Sequence, residues 1–249
     1  MQPFGNPRGP RAAGQVDSAE RRIDWIGRRV AAATVDVMTS GRVCIYAGSS
    51  PGRRPVYEDA ARALARAICS QGRGIVFGGG ALGLMGALAD EALACGGEVI
   101  GVILRHLVER EAADRSLTEL RVTTTMHERK ALMAQLSDRF VALPGGIGTL
   151  EETIEMLTWA QLGLHRKPCG LLNVDGYYDP LLTFLDRAVD EEFLTVASRE
   201  LLTVASEPDA LLAELDRRAA QSERDIDAAR LDDELSQAPA AKRMRAVND

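Results

Sequence analysis

Short apolar runs alternate along most of this chain with longer segments in which apolar residues recur at helical spacing. The runs are rich in Val, Ile and Leu, as is typical of buried strands. They predict strands at residues 43–47, 74–77, 99–104, 119–123, 140–143, 169–173 and 201–204. The amphipathic segments predict helices at residues 56–70, 82–95, 127–136, 150–164 and 180–192, and a further helix from residue 208. This alternation predicts an α/β fold with a mainly parallel sheet and helices on both faces.

The two ends of the chain lack this alternation. Pro, Gly and Arg dominate the first residues, and the only element predicted before the first strand is a short helix at residues 18–37. We expect residues 1–37 to be dispensable for folding and catalysis, and Met38 is a candidate initiator. We predict three regions: a flexible N-terminal extension (1–41), a folded α/β domain (42–215) and a charged tail, helical or disordered (216–249).

Charge and composition narrow the classes of partner. The formal net charge of -6 gives no reason to expect nucleic acid or an anionic membrane as partner. The basic cluster KRMR at residues 242–245 is interpreted as a solvated tail. No apolar stretch approaches the roughly 20 residues needed to span a bilayer. The four cysteines are widely spaced, as in proteins of a reducing compartment, and we therefore expect a cytoplasmic location.

Metal chemistry has little support in the sequence. The three histidines, His106, His127 and His165, are not in a metal-binding spacing, and the cysteines form no Cys-x-x-Cys pair. We expect neither a metal ion nor another cofactor.

Glycine- or serine-rich turns follow three of the predicted strands. The carboxyl ends of parallel strands share one edge of a sheet, where ligands bind at a switch in strand order. Three turns that meet at this edge predict a site for a phosphorylated ligand, most naturally a nucleotide. The turn residues concerned are Gly48, Ser49 and Ser50, then Gly78, Gly79 and Gly80, and finally Gly145, Gly146, Ile147, Gly148 and Thr149.

The last of these turns, in the stretch ALPGGIGTLEE, joins a buried strand to a helix. A helix N-terminus offers unpaired N–H groups and a positive dipole end, both of which suit a phosphate. The alternative is a tight turn with no ligand. Three glycines at Gly145, Gly146 and Gly148 exceed what such a turn needs, which favours an anion site.

Two nucleotide-binding motifs were compared with these turns. The stretch GGGALG matches the glycine pattern of the dinucleotide fingerprint, but the next predicted strand ends in Leu104-Arg105-His106 and lacks the acidic residue that binds the ribose. The turn after the fifth strand does not match the triphosphate loop either, because it has no Gly-Lys-Ser/Thr ending. Both comparisons argue against a nicotinamide cofactor or a nucleoside triphosphate.

Charged residues lie next to this predicted edge. Arg129 opens a helix and is either part of a solvated face or a ligand for phosphate or ribose oxygens. Glu151 and Glu152 either complement the helix dipole or take part in catalysis. A carboxylate repels a bound phosphate, but it stabilises the positive charge that grows at an anomeric carbon when a glycosidic bond breaks.

These residues resemble a known family. Pro144-Gly-Gly-Ile-Gly-Thr-Leu-Glu-Glu152, with Met126-His-Glu-Arg-Lys130 before it, is similar to the LONELY GUY (LOG) family of cytokinin riboside 5'-monophosphate phosphoribohydrolases, often labelled lysine decarboxylases. The resemblance spans about residues 42–215 and includes GSSPG, GGGALGLMG and AVDEEF. It implies a doubly wound, Rossmann-like homodimer that cleaves a nucleoside 5'-monophosphate into free base and ribose 5-phosphate.

The resemblance also implies roles for individual residues. It makes Arg129 and Glu152 the catalytic pair. It implies substrate contacts at Glu111, Arg129, Lys130, Gly145, Gly146, Ile147, Gly148, Thr149, Leu150, Glu151 and Thr158. The substrate that it implies is a cytokinin riboside 5'-monophosphate or AMP, and the sequence leaves open which base is preferred. The alternative is a carrier or regulator on the same fold that binds a nucleotide or phosphorylated cofactor without hydrolysis.

Overall fold

The computed structural model describes residues 41–108 and 116–237, with side chains described up to residue 226. Its strands are β1 (Arg42–Tyr46), β2 (Gly74–Phe77), β3 (Val99–Leu104), β4 (Glu119–Thr123), β5 (Arg139–Ala142), β6 (Cys169–Leu172) and β7 (Leu202–Ala205). Its helices are α1 (Pro55–Ser70), α2 (Gly83–Ala94), α3 (Met126–Gln135), α4 (Ile147–Gln161), α5 (Asp179–Asp190), α6 (Val196–Glu200) and α7 (Pro208–Gln237). Two 3₁₀ turns span Arg105–Leu107 and Val174–Gly176.

The strands form one sheet in the order β4-β3-β2-β1-β5-β6-β7, and every pairing is parallel. Its two faces are covered by different helices. Leu64, Leu88 and Leu211 bring α1, α2 and α7 into one core, while Met133 and Met156 bring α3 and α4 into the core on the opposite face. All five side chains are buried, and each stabilises the fold by about 1.5–3 kcal/mol relative to exposure. The prediction of a doubly wound α/β fold with a parallel sheet is confirmed.

The strand order reverses between β1 and β5, which makes their carboxyl ends the switch point of the sheet. The register places Tyr46 opposite Ala142, so the two following loops start side by side. The N–H of Gly48 donates to the carbonyl of Pro144 at 3.1 Å, and the N–H of Leu143 donates to the carbonyl of Tyr46 at 2.9 Å. Two of the three predicted turns therefore contact each other directly.

The boundaries of α4 differ from the prediction. The helix begins at Ile147 rather than at residue 150, because Ile147, Gly148 and Thr149 already have helical conformation after Gly146 at the N-cap. It ends at Gln161 rather than at residue 164, because Gly163 adopts a positive φ of 72° and turns the chain. Gly148 lowers the helix propensity of this segment, and the sequence pattern therefore predicted too late a start for α4.

Near the C-terminus one helix differs from the sequence pattern, and one begins where the pattern predicted it. The short helix α6 was not predicted. The Thr195 side chain caps it by accepting a hydrogen bond from the N–H of Ser198. Helix α7 runs without interruption from Pro208 to Gln237.

Several expectations lie outside the described residues. The three-region division stays a prediction, because the N-terminal extension up to residue 40, Met38 within it and the end of the charged tail are not among them. The same holds for Glu111 and for the basic cluster at residues 242–245.

Charged side chains join the elements at the amino ends of the strands. Arg42, which opens β1, pairs with Glu98 at 2.6 Å. Asp216 of α7 pairs with Arg73 at 2.9 Å and with Arg139 at 2.6 Å. These ion pairs lie at the edge of the sheet opposite the glycine-rich turns. Within residues 41–108 and 116–237, no helix has the length and apolar character needed to cross a membrane.

Candidate active site

The loop at residues 144–149, called the glycine loop below, leads from β5 into α4. Helix α4 starts without a side-chain cap, because its N-cap residue is Gly146. Its first N–H groups are therefore not used by a capping side chain, and the dipole of the helix makes this end positive. The arrangement suits an anion such as a phosphate group.

The three glycines of the glycine loop have different surroundings. A Cβ on Gly145 would lie 2.1 Å from Oγ1 of Thr149, so packing within the chain excludes a side chain there. Apart from the adjacent residues and the backbone of α4 itself, no atom of the described part of the chain lies within 4 Å of a Cβ built on Gly146 or on Gly148. Neither of these two glycines has a positive φ. The fold itself thus requires only Gly145, while Gly146 and Gly148 leave open space beside the helix N-terminus.

The turn after β2 has structural reasons for its glycines. A Cβ on Gly78 would lie 2.6 Å from Nη2 of Arg129, so this glycine makes room for the guanidinium. Gly79 has a φ of 78°, and a Cβ on Gly83 would lie 2.4 Å from the backbone of Ser49. These contacts account for three of the four glycines of GGGALG, namely Gly78, Gly79 and Gly83, without a dinucleotide.

The structure places the predicted turn residues at different depths. Gly79 and Gly80 are buried, whereas Ser49 and Ser50 are exposed beside the glycine loop. In the glycine loop Gly146, Ile147 and Gly148 are exposed, Thr149 is buried and Leu150 is half-buried.

Arg129 extends from the first turn of α3 under the ends of the central strands. The start of α3 is fixed by a capping box, in which Thr125 and Glu128 satisfy each other's backbone N–H groups. The Nε of Arg129 donates to the carbonyl of Val102 at 2.9 Å, at the end region of β3. Its Nη2 lies 3.7 Å from Oε1 of Glu152 on α4. The two side chains are only 8% and 14% exposed, so this pair is largely shielded from water.

Lys130 is paired with two carboxylates of α4. Its Nζ lies 2.5 Å from Oε1 of Glu151 and 2.8 Å from Oε2 of Glu155. Burial alone would lower the pKa of Lys130, but the hydrogen bonds and charges of Glu151 and Glu155 outweigh burial and raise it. Lys130 therefore remains a cation at neutral pH. Glu155 was not predicted from the sequence, and the only signal for it is its position one helical turn after Glu151.

Adjacent cations on α3 thus pair with adjacent carboxylates on α4. Arg129 faces Glu152, and Lys130 faces Glu151. Consecutive residues of a helix point about 100° apart, so the two glutamates serve different places. Glu151 is 50% exposed, whereas Glu152 is enclosed next to the guanidinium.

Thr158 is separate from the pair of Arg129 and Glu152. It lies on the outer side of α4, where its hydroxyl donates to the carbonyl of Ile154 at 2.8 Å. It lines a shallow groove on α4 together with Ile147, Leu150, Glu151, Ile154, Glu155 and Trp159. Within one copy of the chain, Thr158 is therefore not brought together with Arg129.

Two tyrosines that the sequence interpretation did not select contact the site. The hydroxyl of Tyr177 donates to the carbonyl of Gly145, and the hydroxyl of Tyr178 donates to the carbonyl of Leu143, both at 2.6 Å. The signal available in the sequence is the adjacent aromatic pair in the turn before α5.

The cysteines are free thiols in the structure. Burial raises the pKa of Cys44 and of Cys169 to about 12, so both are protonated and unreactive at neutral pH. In the described part of the chain, no three His, Cys, Asp or Glu side chains come together as metal ligands would.

Comparison with known proteins agrees with the motifs at this site. The profile of a family described as "Possible lysine decarboxylase" matches residues 85–215. The cytokinin riboside 5'-monophosphate phosphoribohydrolase LOG of Oryza sativa subsp. japonica is 47% identical over 175 residues, which cover 70% of this chain and 72% of that protein. LOG3 of Arabidopsis thaliana, which bears the same enzyme name, is 46% identical over 183 residues, covering 74% of this chain and 85% of that protein.

Solved structures share the fold at lower sequence identity. The molybdenum cofactor carrier protein of Chlamydomonas reinhardtii superposes with a TM-score of 0.54 at 22% identity, covering 72% of this chain and 98% of that one. The molybdenum cofactor binding protein of Rippkaea orientalis gives a TM-score of 0.51 at 21% identity, covering 76% of this chain and 99% of that one. At this identity the likeness concerns the fold alone. The sequence relatives, in contrast, share the chain at 46–47% identity over most of its folded part, and the chain belongs to the LOG family of cytokinin riboside 5'-monophosphate phosphoribohydrolases.

Proposed function

We propose that this protein hydrolyses the N-glycosidic bond of cytokinin riboside 5'-monophosphates, and of AMP, to give the free base and ribose 5-phosphate. The observation that carries the proposal is the enclosed pair of Arg129 and Glu152, which lies at the switch point beside the glycine loop. The relatives named above carry this activity in their names.

The 5'-phosphate is proposed to bind at the start of α4. Gly146 and Gly148 leave space for it, and no side chain caps the N–H groups of the first helical turn. Ser49 and Ser50 are exposed next to the loop and add hydroxyl donors. A phosphate in this position places the ribose over the cluster of charged side chains from α3 and α4.

The reacting carbon is then proposed to face Glu152. As the bond between the anomeric carbon and the base nitrogen breaks, positive charge grows on the ribose, and a nearby carboxylate stabilises it. A water molecule supplies the hydroxyl group that adds to the anomeric carbon, and its other proton passes to the base. Glu152 acts either by stabilising this charge or by activating the water, while Arg129 contacts the sugar-phosphate and fixes the carboxylate.

The carrier function considered from the sequence is not favoured by the site. A carboxylate beside a phosphate weakens binding, so a protein that only binds nucleotides gains nothing from Glu152. The likeness to molybdenum cofactor carriers extends to the fold and gives no support for a shared ligand.

We also propose that the protein acts as a homodimer. Helix α4 and the turn after it leave large apolar side chains exposed, among them Ile147 at 87%, Leu162 at 67% and Leu164 at 68%. Exposed apolar groups of this size commonly mark an interface. A second copy that covered α4 would also enclose Thr158, which the family resemblance makes a substrate contact. Light scattering during gel filtration tests this, since a monomer at micromolar concentration would contradict it.

A cytoplasmic location remains a proposal as well. It rests on the four unpaired cysteines, two of which are buried as thiols. Cell fractionation with antibodies against the native protein tests it.

The activity is tested by incubating the purified full chain with AMP and with isopentenyladenosine 5'-monophosphate. Chromatography should detect the released base together with one equivalent of ribose 5-phosphate. Calorimetry on the Glu152→Gln variant serves as the control for binding without turnover. If the wild-type protein binds the nucleotides but releases no base from either one, the hydrolase assignment is wrong and the carrier function is supported.

A further inference from the structure

The turn between β6 and α5 supports the glycine loop with two hydroxyl groups. As described above, Tyr177 donates to the carbonyl of Gly145 and Tyr178 donates to the carbonyl of Leu143. Tyr178 is buried, and Tyr177 is partly exposed. The two hydrogen bonds have equal length and come from adjacent residues. They differ in the peptide group that accepts them, because only the one after Gly145 carries an N–H that could bind an anion.

The ring of Tyr177 is fixed by its neighbours. It contacts Tyr57 of α1 edge-on, with ring centroids 5.6 Å apart, and Tyr178 edge-on at 5.0 Å. Arg54, just before α1, forms an ion pair with Asp175 in the same turn. The position of the Tyr177 hydroxyl is therefore determined by packing from two elements and does not depend on the glycine loop itself.

The backbone of this turn is strained. Asp175 has φ 51° and ψ 39°, in the left-handed region that residues other than glycine seldom adopt. Asn173 stabilises the turn by accepting from the N–H of Tyr178 at 2.8 Å and by donating to Asp179 at 2.7 Å. Strain of this kind persists where surrounding contacts impose it, and it concentrates at functional sites. Here it places two tyrosine hydroxyls against the glycine loop.

The hydrogen bond to Gly145 determines the direction of an N–H group. In a trans peptide the carbonyl and the following N–H lie in one plane and point in opposite directions. With its carbonyl bound to Tyr177, the peptide between Gly145 and Gly146 must direct the N–H of Gly146 away from Tyr177. Gly146 is exposed, and a Cβ built on it meets open space. The contact made by Tyr178 has no such effect, because residue 144 is proline and lacks an N–H.

We propose that Tyr177 is a positioning residue for phosphate binding: its hydroxyl fixes the Gly145 carbonyl and thereby directs the N–H of Gly146 at the 5'-phosphate. The proposal rests on the proposed function, since it assumes that the glycine loop binds the phosphate. Tyr177 touches neither the base nor the anomeric carbon in this arrangement. Its loss should therefore weaken ground-state binding of the phosphate and leave the chemical step nearly unchanged.

The test compares Tyr177→Phe with Tyr178→Phe in the full chain. Each variant keeps the ring and removes one hydroxyl that donates to the loop region, but only Tyr177 controls an N–H. For Tyr177→Phe we expect KM for AMP and Kd for ribose 5-phosphate to rise about fivefold to tenfold, the loss of one well-oriented hydrogen bond, with kcat within about twofold. For Tyr178→Phe we expect a lower melting temperature and a Kd for ribose 5-phosphate within about twofold of wild type.

A spectroscopic readout separates positioning from general stability. Addition of ribose 5-phosphate to the ¹⁵N-labelled wild-type protein should shift the amide resonance of Gly146, and this shift should be much smaller in Tyr177→Phe at saturating ligand. If Tyr177→Phe binds ribose 5-phosphate like wild type while wild type releases base from AMP, the positioning role is wrong and the proposed function stands. Equal losses of affinity in the two variants would also overturn the positioning role. A wild-type protein that neither binds ribose 5-phosphate nor releases base would overturn both proposals.

Discussion

Arg129 and Glu152 approach to 3.7 Å across the switch point of the sheet, one from the helix after β4 and the other from the helix after β5. Two features of the backbone make this approach feasible. Gly78 leaves the volume that the guanidinium occupies, and the carbonyl of Val102 accepts from its Nε. The pair is longer than a direct hydrogen bond, so it is an electrostatic contact within a shielded site. It brings a cation and an anion to the place where a sugar-phosphate would lie.

Glu152 and Glu151 should respond differently to the same substitution. Glu152→Gln keeps the shape and removes the charge next to the reacting carbon, so kcat should fall by at least about 100-fold. Nucleotide affinity should be unchanged or tighter, because a repulsion of the phosphate is relieved. Glu151→Gln should lower kcat by less than about tenfold, since Glu155 still pairs with Lys130. Base release and calorimetric AMP affinity measure both effects, and near-normal turnover in Glu152→Gln would contradict the assigned mechanism.

The 5'-phosphate should be obligatory for hydrolysis. Removing it takes away the charge-assisted hydrogen bonds to the start of α4, each worth about 1.5–3 kcal/mol. Loss of two such bonds corresponds to a decrease of kcat/KM by roughly 100-fold or more. The comparison is base release from isopentenyladenosine and from its 5'-monophosphate under the same conditions. Similar rates for the two compounds would show that the glycine loop is not a phosphate site.

Alanine substitutions at Gly148 and Gly145 should distinguish effects on phosphate binding from effects on the free energy of unfolding. A methyl group at Gly148 meets no described atom within 4 Å outside the adjacent residues and the backbone of α4. Gly148→Ala should therefore raise the free energy of unfolding by up to about 1 kcal/mol through better helix propensity. The same methyl group occupies the space proposed for the phosphate, and KM should rise at least about tenfold. Gly145→Ala should lower both stability and activity, because its methyl group would collide with Thr149. Urea titration and steady-state kinetics give the two quantities, and an unchanged KM in Gly148→Ala would place the phosphate elsewhere.

Asp216 should stabilise the fold more than a surface ion pair does. Burial and the charge of Arg73 lower the pKa of Arg139, and Asp216 opposes both by pairing with the two arginines. Asp216→Asn leaves two partly buried cations side by side, and the free energy of unfolding should fall by about 1–3 kcal/mol. The matched control is Asp186→Asn, which breaks the pair of Asp186 with Arg199 at an exposed carboxylate and should cost less than about 1 kcal/mol. Equal losses in the two variants would show that the network at Asp216 is no stronger than a surface pair.

His165 should make the stability of the fold depend on pH. Burial, aided by the charge of Lys167, lowers the pKa of His165 in the folded state from its ordinary value of 6.5. Below pH 6.5 the unfolded chain binds a proton that the folded chain resists, so this contribution is fully present above pH 6.5 and is lost as the pH falls toward the folded pKa. The slope approaches about 1.4 kcal/mol per pH unit within that window. His165→Asn keeps an acceptor for the N–H of Lys167 and cannot titrate, so urea titrations between pH 5 and pH 8 should show a flatter profile. An identical profile in the variant would remove His165 as the cause.

The fold was largely predictable because its signals are local. The run Val99–Leu104 is fully buried and apolar, and the glycines of residues 145–148 mark the turn from strand to helix. Arg129, Glu151 and Glu152 were candidates from their place beside the predicted sheet edge, while the assignment of Arg129 and Glu152 as the catalytic pair came from the family resemblance and stays a prediction. Glu155 and Tyr177 were not found, because their roles depend on partners that are distant in the sequence. Tyr177 contacts Gly145 across 32 residues, and no local rule for a turn predicts which carbonyl a hydroxyl will find.

The ion pairs at the amino ends of the strands have a consequence for how this protein can change in evolution. Asp216 and its two arginines are separated from Glu152 by the full length of the central strands, about 13–16 Å for a strand such as β1. Substitutions that far apart usually combine additively. A lineage that adapts to a warmer or colder habitat can therefore adjust the charges at the amino ends of the strands and keep its substrate preference. A lineage that acquires a new substrate can alter the opposite edge of the sheet without first losing thermal tolerance.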